Sequence, residues 1–187
     1  MASKIKVDQL ETADGTGTIA LQNQLSGMTT ASLPTVTTDK LGSGAILRQF
    51  FTRITTDLST TSQSYVDLGG SITLTPLSTS SKFFVMASVH SYLNLHTTDG
   101  WHAINYQLLR DTTAVTGSDS SSYNYGFAKY TRDDEDRNMS YVHRQWQDEP
   151  ATTSEITYKL QVQSRFGYNA IFNDFGESSM CILEVQG

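Results

Sequence analysis

Alternating apolar and polar positions mark residues 71–96 as a short strand, a turn and a long strand. Alternate positions of the long segment share an apolar character: Phe83, Val85, Ala87, Val89, Leu93 and Leu95. A repeat of two is typical of a strand, because successive side chains point to opposite faces. Between the two strands, residues 75–81 supply a proline and several hydroxyls, which favour a turn. The pattern predicts an antiparallel hairpin or a corner with one buried face.

Further strands are predicted on both sides of this segment. Residues 45–55 fit a short helix or a strand, and their paired phenylalanines and following Thr/Ser run favour the strand. Gly69-Gly70 predicts a tight hairpin, and Asp99-Gly100 predicts a second hairpin that joins the long strand to residues 101–110. The other predicted strands cover residues 114–116, 123–130, 139–147, 156–163, 170–172 and 180–185. No segment favours a helix, and about eight to ten short strands indicate an antiparallel β-sandwich or jelly roll.

Residues 1–44 contain too few apolar side chains to bury a core of their own. Short alternating pieces flank the turn signal Asp14-Gly15-Thr16-Gly17, and Leu41-Gly42-Ser43-Gly44 is typical of a hinge. The sequence thus predicts an extended N-terminal β arm over residues 1–44 and a sandwich head over residues 45–187. The arm residues expected to anchor it to copies of itself or to a partner are Ile5, Val7, Leu10, Ile19 and Leu21.

Composition narrows the class of partner. The 187-residue chain has 19 Asp and Glu against 13 Lys and Arg, a formal net charge of -6, which argues against a nucleic-acid partner. The sequence contains no run of about 18 apolar residues, so membrane insertion is not predicted. No apolar segment follows the N-terminus, so a secretory leader is not predicted either. Cys181 is the single cysteine, so no intrachain disulfide can form, and its strand favours a buried, inert thiol.

Two clusters of metal-ligating residue types are present. His90 and His96 share one face of the long strand and His102 follows the predicted turn, but none forms an HxH or HxxxH pair. The sequence leaves open a metal site on the threefold axis of a trimer, with one histidine from each subunit. The run Asp133-Asp134-Glu135-Asp136 lacks the alternating spacing of a calcium loop, so a solvated charged loop is expected. No metal or other cofactor is predicted.

Catalytic motifs are missing from the sequence, which has no GxSxG, P-loop or GxGxxG. The acidic run, with Glu149 or Asp174, offers carboxylates for a glycosidase pair, but clustering on a loop does not fix the separation that this chemistry needs. The chain is therefore predicted not to be an enzyme. A polysaccharide depolymerase is the enzymatic alternative.

Aromatic residues crowd the second half of the chain, and half or more of them are expected in the core. Tyr and Trp combine a large rigid contact area with a polar tip, so some are candidates for subunit or glycan contact. The predicted binding residues of the head are Trp101, Tyr123, Tyr125, Tyr130, Asp133, Asp134 and Trp146.

Short motifs along nearly the whole chain resemble small fibre-like structural proteins of tailed bacteriophages, especially of the cyanophage type. The opening carries Lys6-Val7-Asp8-Gln9-Leu10-Glu11-Thr12 and then Gly17-Thr18-Ile19-Ala20-Leu21. The head carries Ile72-Thr73-Leu74-Thr75-Pro76, Gln107-Leu108-Leu109-Arg110, Pro150-Ala151-Thr152-Thr153-Ser154 and Ile182-Leu183-Glu184-Val185. The acidic run at residues 133–136 is not part of the resemblance.

The resemblance implies a virion structural protein without catalytic residues, assembled in the host cytoplasm and commonly a homotrimer with paired arms. A polar arm, a glycine hinge and a β-rich head fit that organisation, because symmetry lets three small cores combine. The first expectation is a tail-fibre or adsorption component whose arm binds other virion proteins and whose head binds the host surface, including its glycans. The alternative is a capsid decoration or cement protein.

Overall fold

The structure is a computed structural model that describes residues 10–11, 18–19, 41–94, 100–115, 127–131 and 139–187. Only the backbone is described at residues 10–11, 18–19, 94, 100–102 and 127–131. The chain divides into two compact units, Met1–Lys40 and Leu41–Gly187. The predicted boundary between residues 44 and 45 stays a prediction.

In the first unit, strand β1 (Leu10–Glu11) pairs antiparallel with β2 (Thr18–Ile19), with Leu10 opposite Ile19. The chain therefore reverses across the turn predicted at residues 14–17. Of the other predicted anchoring residues, Ile5, Val7 and Leu21 lie outside the described residues.

The second unit is built from strands, and its described residues include no helix. The strands are β3 (Ile46–Ile54), β4 (Leu58–Thr60), β5 (Val66–Leu74), β6 (Lys82–Asn94), β7 (Gly100–Arg110), β8 (Thr113–Ala114), β9 (Phe127–Thr131), β10 (Ser140–Asp148), β11 (Ile156–Ser164), β12 (Asn169–Phe172) and β13 (Ser178–Val185). The all-β fold class predicted from the sequence is confirmed.

Two antiparallel sheets form a β-sandwich. In the larger, six-stranded sheet, β6 is central: β10 lies along one edge, and β13 and β12 lie end to end along the other. Beyond these, β3 pairs with β13 and β4 pairs with β12. In the smaller sheet, β11 lies between β5 and β7, and both β8 and β9 pair with the far edge of β7.

The core lies between the two sheets. The larger sheet buries Phe83, Val85, Ala87, Val89 and Leu93 of β6, and the facing strand β11 buries Ile156, Tyr158, Leu160 and Val162. The residues of β6 are among the positions that the repeat of two placed on one face. Deep burial of branched and aromatic side chains supplies the main favourable free energy of folding.

The tight hairpin predicted at Gly69-Gly70 is wrong, because β5 runs without a break from Val66 to Leu74. Both glycines have positive φ, +90° and +72°. The register between β5 and β11 shifts at Lys159/Gln161, opposite these glycines, as in a β-bulge. The conformations that the two glycines permit bend a continuous strand instead of reversing it.

The hairpin predicted across Asp99-Gly100 is also wrong. Strand β6 belongs to the larger sheet and β7 to the smaller one, so the connection crosses between sheets. Both edges of β6 are already paired, with β10 on one side and with β12 and β13 on the other. Residues 75–81 likewise connect the two sheets, so the predicted corner, and not the hairpin, is correct.

Two carboxylates inside the sandwich have hydrogen-bonding partners. Glu184, fully buried on β13, accepts hydrogen bonds from Arg48 Nε at 2.8 Å and from the Leu77 backbone N at 2.7 Å. Asp148, at the end of β10, accepts from Arg110 Nη1 and from Tyr158 Oη, each at 2.6 Å. The first group ties β3 and the corner to β13, and the second ties the two sheets together.

Candidate functional site on the outer face of the larger sheet

The strands β3, β13, β6 and β10 lie side by side and turn alternate residues away from the core. The register aligns these outward residues in rows across the sheet. The rows are Gln49–Leu183–Phe84–Gln147, then Phe51–Cys181–Met86–Gln145, then Arg53–Ser179–Ser88–His143, and finally His90–Tyr141. We call this surface the outer face.

The first two rows form an apolar end of the outer face. Phe51 and Phe84 are 59% and 42% exposed, and Met86, Cys181 and Leu183 between them are half-buried. The exposed Gln49, Gln145 and Gln147 complete the two rows, and exposed apolar side chains grouped in this way make a candidate contact surface. Cys181 was predicted to be buried, but it turns outward and is only partly covered, with its Sγ 3.5 Å from Gln49 Nε2.

A shallow groove of about 310 Å³ lies between the apolar end and the last row. Its walls come from β6, β10 and β13, and most of their exposed surface is apolar. The side chains that turn toward it are Met86, Ser88, His143, Gln145, Ser179 and Cys181.

The last row forms an aromatic end. The Tyr141 ring lies 4.9 Å from the His90 ring and is stacked on His143 at 6.5 Å with an interplanar angle of 14°. Tyr141 is 52% exposed, whereas His90 beneath it is 4% exposed. His90 Nδ1 is buried and has no hydrogen-bond partner.

The connection between β12 and β13, residues 173–177, covers His90. Gly176 lies so close to it that an added Cβ would be 2.9 Å from the His90 ring and 2.6 Å from Tyr141 Oη. Tyr92 Oη donates a hydrogen bond to Asp174 Oδ2 at 2.7 Å. Phe175, 62% exposed, lies 6.3 Å from the Tyr92 ring. Tyr141 meets the glycine through its hydroxyl, and Phe175 precedes the glycine in the chain; we call these two exposed residues, together with Gly176, the aromatic platform.

Side-chain hydrogen bonds fix the shape of this connection. Asn173 takes a left-handed conformation with φ +65°, and its Nδ2 donates to Thr56 O at 2.9 Å. Ser178 Oγ donates to Asn173 Oδ1 at 2.5 Å and accepts from the His90 backbone N at 3.0 Å. Buried, mutually satisfied polar groups hold a loop in one conformation. The platform is therefore preorganised by the scaffold.

The outward surface of the smaller sheet has a different chemistry. Gln107 donates to Gln161 Oε1 at 2.6 Å, and Gln161 donates to Asp67 Oδ1 at 2.6 Å. Lys159 Nζ adds an ion pair to Asp67 at 3.0 Å. The hydrogen bond from Gln161 lowers the pKa of the Asp67 carboxyl, and the interaction with Lys159 lowers it further. Since these side chains are occupied with one another, this surface is a hydrogen-bonded polar face and not an apolar contact surface.

The binding residues predicted from the sequence fall in three groups. Trp146 is half-buried and packs against the core from the inward side of β10. Trp101 and Tyr130 are partners in the β7–β9 register, but only their backbone is described. Tyr123, Tyr125, Asp133 and Asp134 lie outside the described residues. Their binding roles stay predictions.

Sequence reasoning missed the aromatic platform. Tyr141 shares one face of its strand with His143, a pattern visible in the alternation, and Asn173-Asp174-Phe175-Gly176 has the composition of a turn. Nothing in the sequence shows that this turn folds back over β6 and β10. Of the three histidines considered as ligands, His90 is buried, and the side chains of His96 and His102 are not described. The part of the chain that the structure describes contains no group of three His, Cys, Asp or Glu that could hold a metal ion.

Comparison with known proteins gives distant likenesses. No family model matches the chain, and no curated protein matches it. Among solved structures, it is similar to a mutant VP2 protein of infectious bursal disease virus in derived T=1 particles, with 10% identity and a TM-score of 0.38 over 81% of this chain. A VP2 subviral particle of the same virus gives 10% identity and a TM-score of 0.36 over 75% of this chain. The matches span 40% and 38% of those two chains, and a likeness of this degree carries no argument about function.

In the residues that the structure describes, no helix has the length and apolar character needed to cross a membrane.

Proposed function

We propose that this chain is a virion structural protein of a tailed bacteriophage, a trimeric tail-fibre or adsorption component. Its arm attaches to other virion proteins and its head meets the host surface. The proposal combines the sequence resemblance with one structural observation, the exposed apolar end of the outer face. It assigns no catalytic residue.

The apolar end has the composition of an assembly surface. Phe51 and Phe84 expose aromatic rings around the half-buried Met86, Cys181 and Leu183, and the charged residues of this face, Lys82 and Arg53, lie outside the two rows. Depletion of charge at the centre and enrichment in aromatic residues and methionine distinguish interface cores from ordinary surface. Burial of this patch against another chain is therefore more favourable than its contact with water.

A closed threefold ring needs two different patches on each subunit, since its contacts are heterologous. In the proposed trimer, the apolar end of one head packs on a second surface of its neighbour. The hydrogen-bonded face of the smaller sheet then stays in contact with water.

The mass of the full-length protein in solution, measured by light scattering, tests the assembly. Three times the 20.7 kDa chain mass is expected. Phe84→Glu places a charge in the apolar end and is expected to lower the mass to that of one chain. Ser71→Glu adds the same charge to the exposed surface of β5 and is expected to leave the trimer intact. A monomeric wild-type protein, or a trimer indifferent to Phe84→Glu, contradicts assembly through this end.

The place in the virion is tested separately with gold-labelled antibodies against the head, applied to purified particles of the phage that encodes the chain. Label at the tail is the expected result. Label over the capsid instead supports the decoration role, and particles without label contradict a virion role altogether.

A further inference from the structure

We draw no further inference here: the strongest candidate, the shallow groove that β6, β10 and β13 form on the outer face beside Cys181, belongs to an apolar sheet surface, and nothing in the structure shows what covers it.

Discussion

Gly70 lies directly against the side chain of Ile54, and a Cβ added at Gly70 would be 2.6 Å from Ile54 Cγ1. The contact joins the bulge of β5 in the smaller sheet to the last residue of β3 in the larger one. Ile54 is 2% exposed and packed in the core, so it has little room to move. Two features of this position therefore require glycine: its φ of +72° and the lack of space for a Cβ.

Gly70→Ala is expected to lower the free energy of unfolding by about 2 to 5 kcal/mol. Left-handed backbone costs about 1–2 kcal/mol in a residue with a side chain, and overpacking adds about 1–3 kcal/mol. Urea unfolding followed by circular dichroism measures the change. Ile54→Ala combined with Gly70→Ala should cost less than the sum of the single changes, since the deleted side chain is the one that the new methyl group meets.

Two other glycines, Gly69 and Gly42, provide the controls. Gly69→Ala keeps the strain of φ +90°, but its Cβ would meet Ile54 Cγ2 only at an ordinary 3.7 Å, so about 1–2 kcal/mol is expected. Gly42 has no neighbouring atom within 4 Å, and Gly42→Ala should change stability by less than about 0.5 kcal/mol. Equal effects at positions 42, 69 and 70 would contradict the close contact.

The buried carboxylate of Glu184 predicts a second stability effect. Glu184→Gln keeps the shape but replaces a charged acceptor for Arg48 and for the Leu77 backbone N with a neutral amide. Hydrogen bonds to charged groups contribute about 1.5–3 kcal/mol, and the Arg48 side chain, 34% exposed, can recover part of this in water. A loss of about 2 kcal/mol in urea unfolding is therefore expected.

Glu177→Gln is the matched control, because it neutralises a carboxylate that is also paired with an arginine of β3, Arg53, but at the exposed surface. Solvent screens such pairs, and no measurable loss of stability is expected. If both variants lose the same free energy, burial of Glu184 is not the cause of its effect.

Much of the fold was predictable because its strands carry a strong repeat of two. The inward positions of β6 were assigned to one face correctly, since the strand has one core-facing side. The reversal between Leu10 and Ile19 was predicted from turn residues alone. These are local signals, and local signals define elements well.

Pairing between strands was less predictable. Gly69-Gly70 indicates positive φ but does not distinguish a turn from a bulge, and the nearby Ile54 comes from a distant strand. Asp99-Gly100 precedes β7 at a point where the chain changes sheets, which depends on what already pairs with β6. The short strand β4 was missed, because its three residues give too few positions for a repeat.

The candidate site could not be assembled from the sequence for the same reason. His90 and Tyr141 are opposite each other in the register of two strands that are far apart along the chain. Phe175 lies on the β12–β13 connection and contacts Tyr92, two residues beyond His90. Aromatic composition identified the type of residue, but only the fold identified which aromatic residues are exposed together.

A third prediction concerns alkaline pH. Burial raises the pKa of Tyr106 and of Tyr158, and the hydrogen bond to Asp148 raises that of Tyr158 further. Both values lie above the value of about 10 that a tyrosine has in an unfolded chain. The stabilising contribution is therefore complete below about pH 10 and is lost as the pH rises toward the folded-state values.

Above about pH 10 each such tyrosine should reduce the free energy of unfolding by about 1.4 kcal/mol per pH unit. Urea unfolding at a series of pH values measures this slope. The double variant Tyr106→Phe with Tyr158→Phe should have lower stability at neutral pH. Above about pH 10 its stability should fall less steeply than that of the wild-type protein, by about 2.7 kcal/mol per pH unit. An unchanged slope would mean that neither hydroxyl governs the alkaline transition.

The last prediction concerns Gly176, on which the aromatic platform depends. A Cβ at this position would be 2.6 Å from Tyr141 Oη and 2.9 Å from two atoms of the His90 ring. The hydroxyl is the flexible end of an exposed side chain and can move, whereas the His90 ring is buried and cannot. Gly176→Ala is therefore expected to displace the Tyr141 ring and the connection itself, at a cost of about 1–3 kcal/mol in urea unfolding. The ring-proton shifts of Tyr141 and His90 in NMR spectra should change with it.

Tyr141→Phe removes the nearer of the two obstacles, so adding Gly176→Ala to that variant should cost less than it does in the wild-type protein. Equal costs in the two backgrounds would show that Tyr141 does not pack on Gly176, and the platform would then lack its central contact.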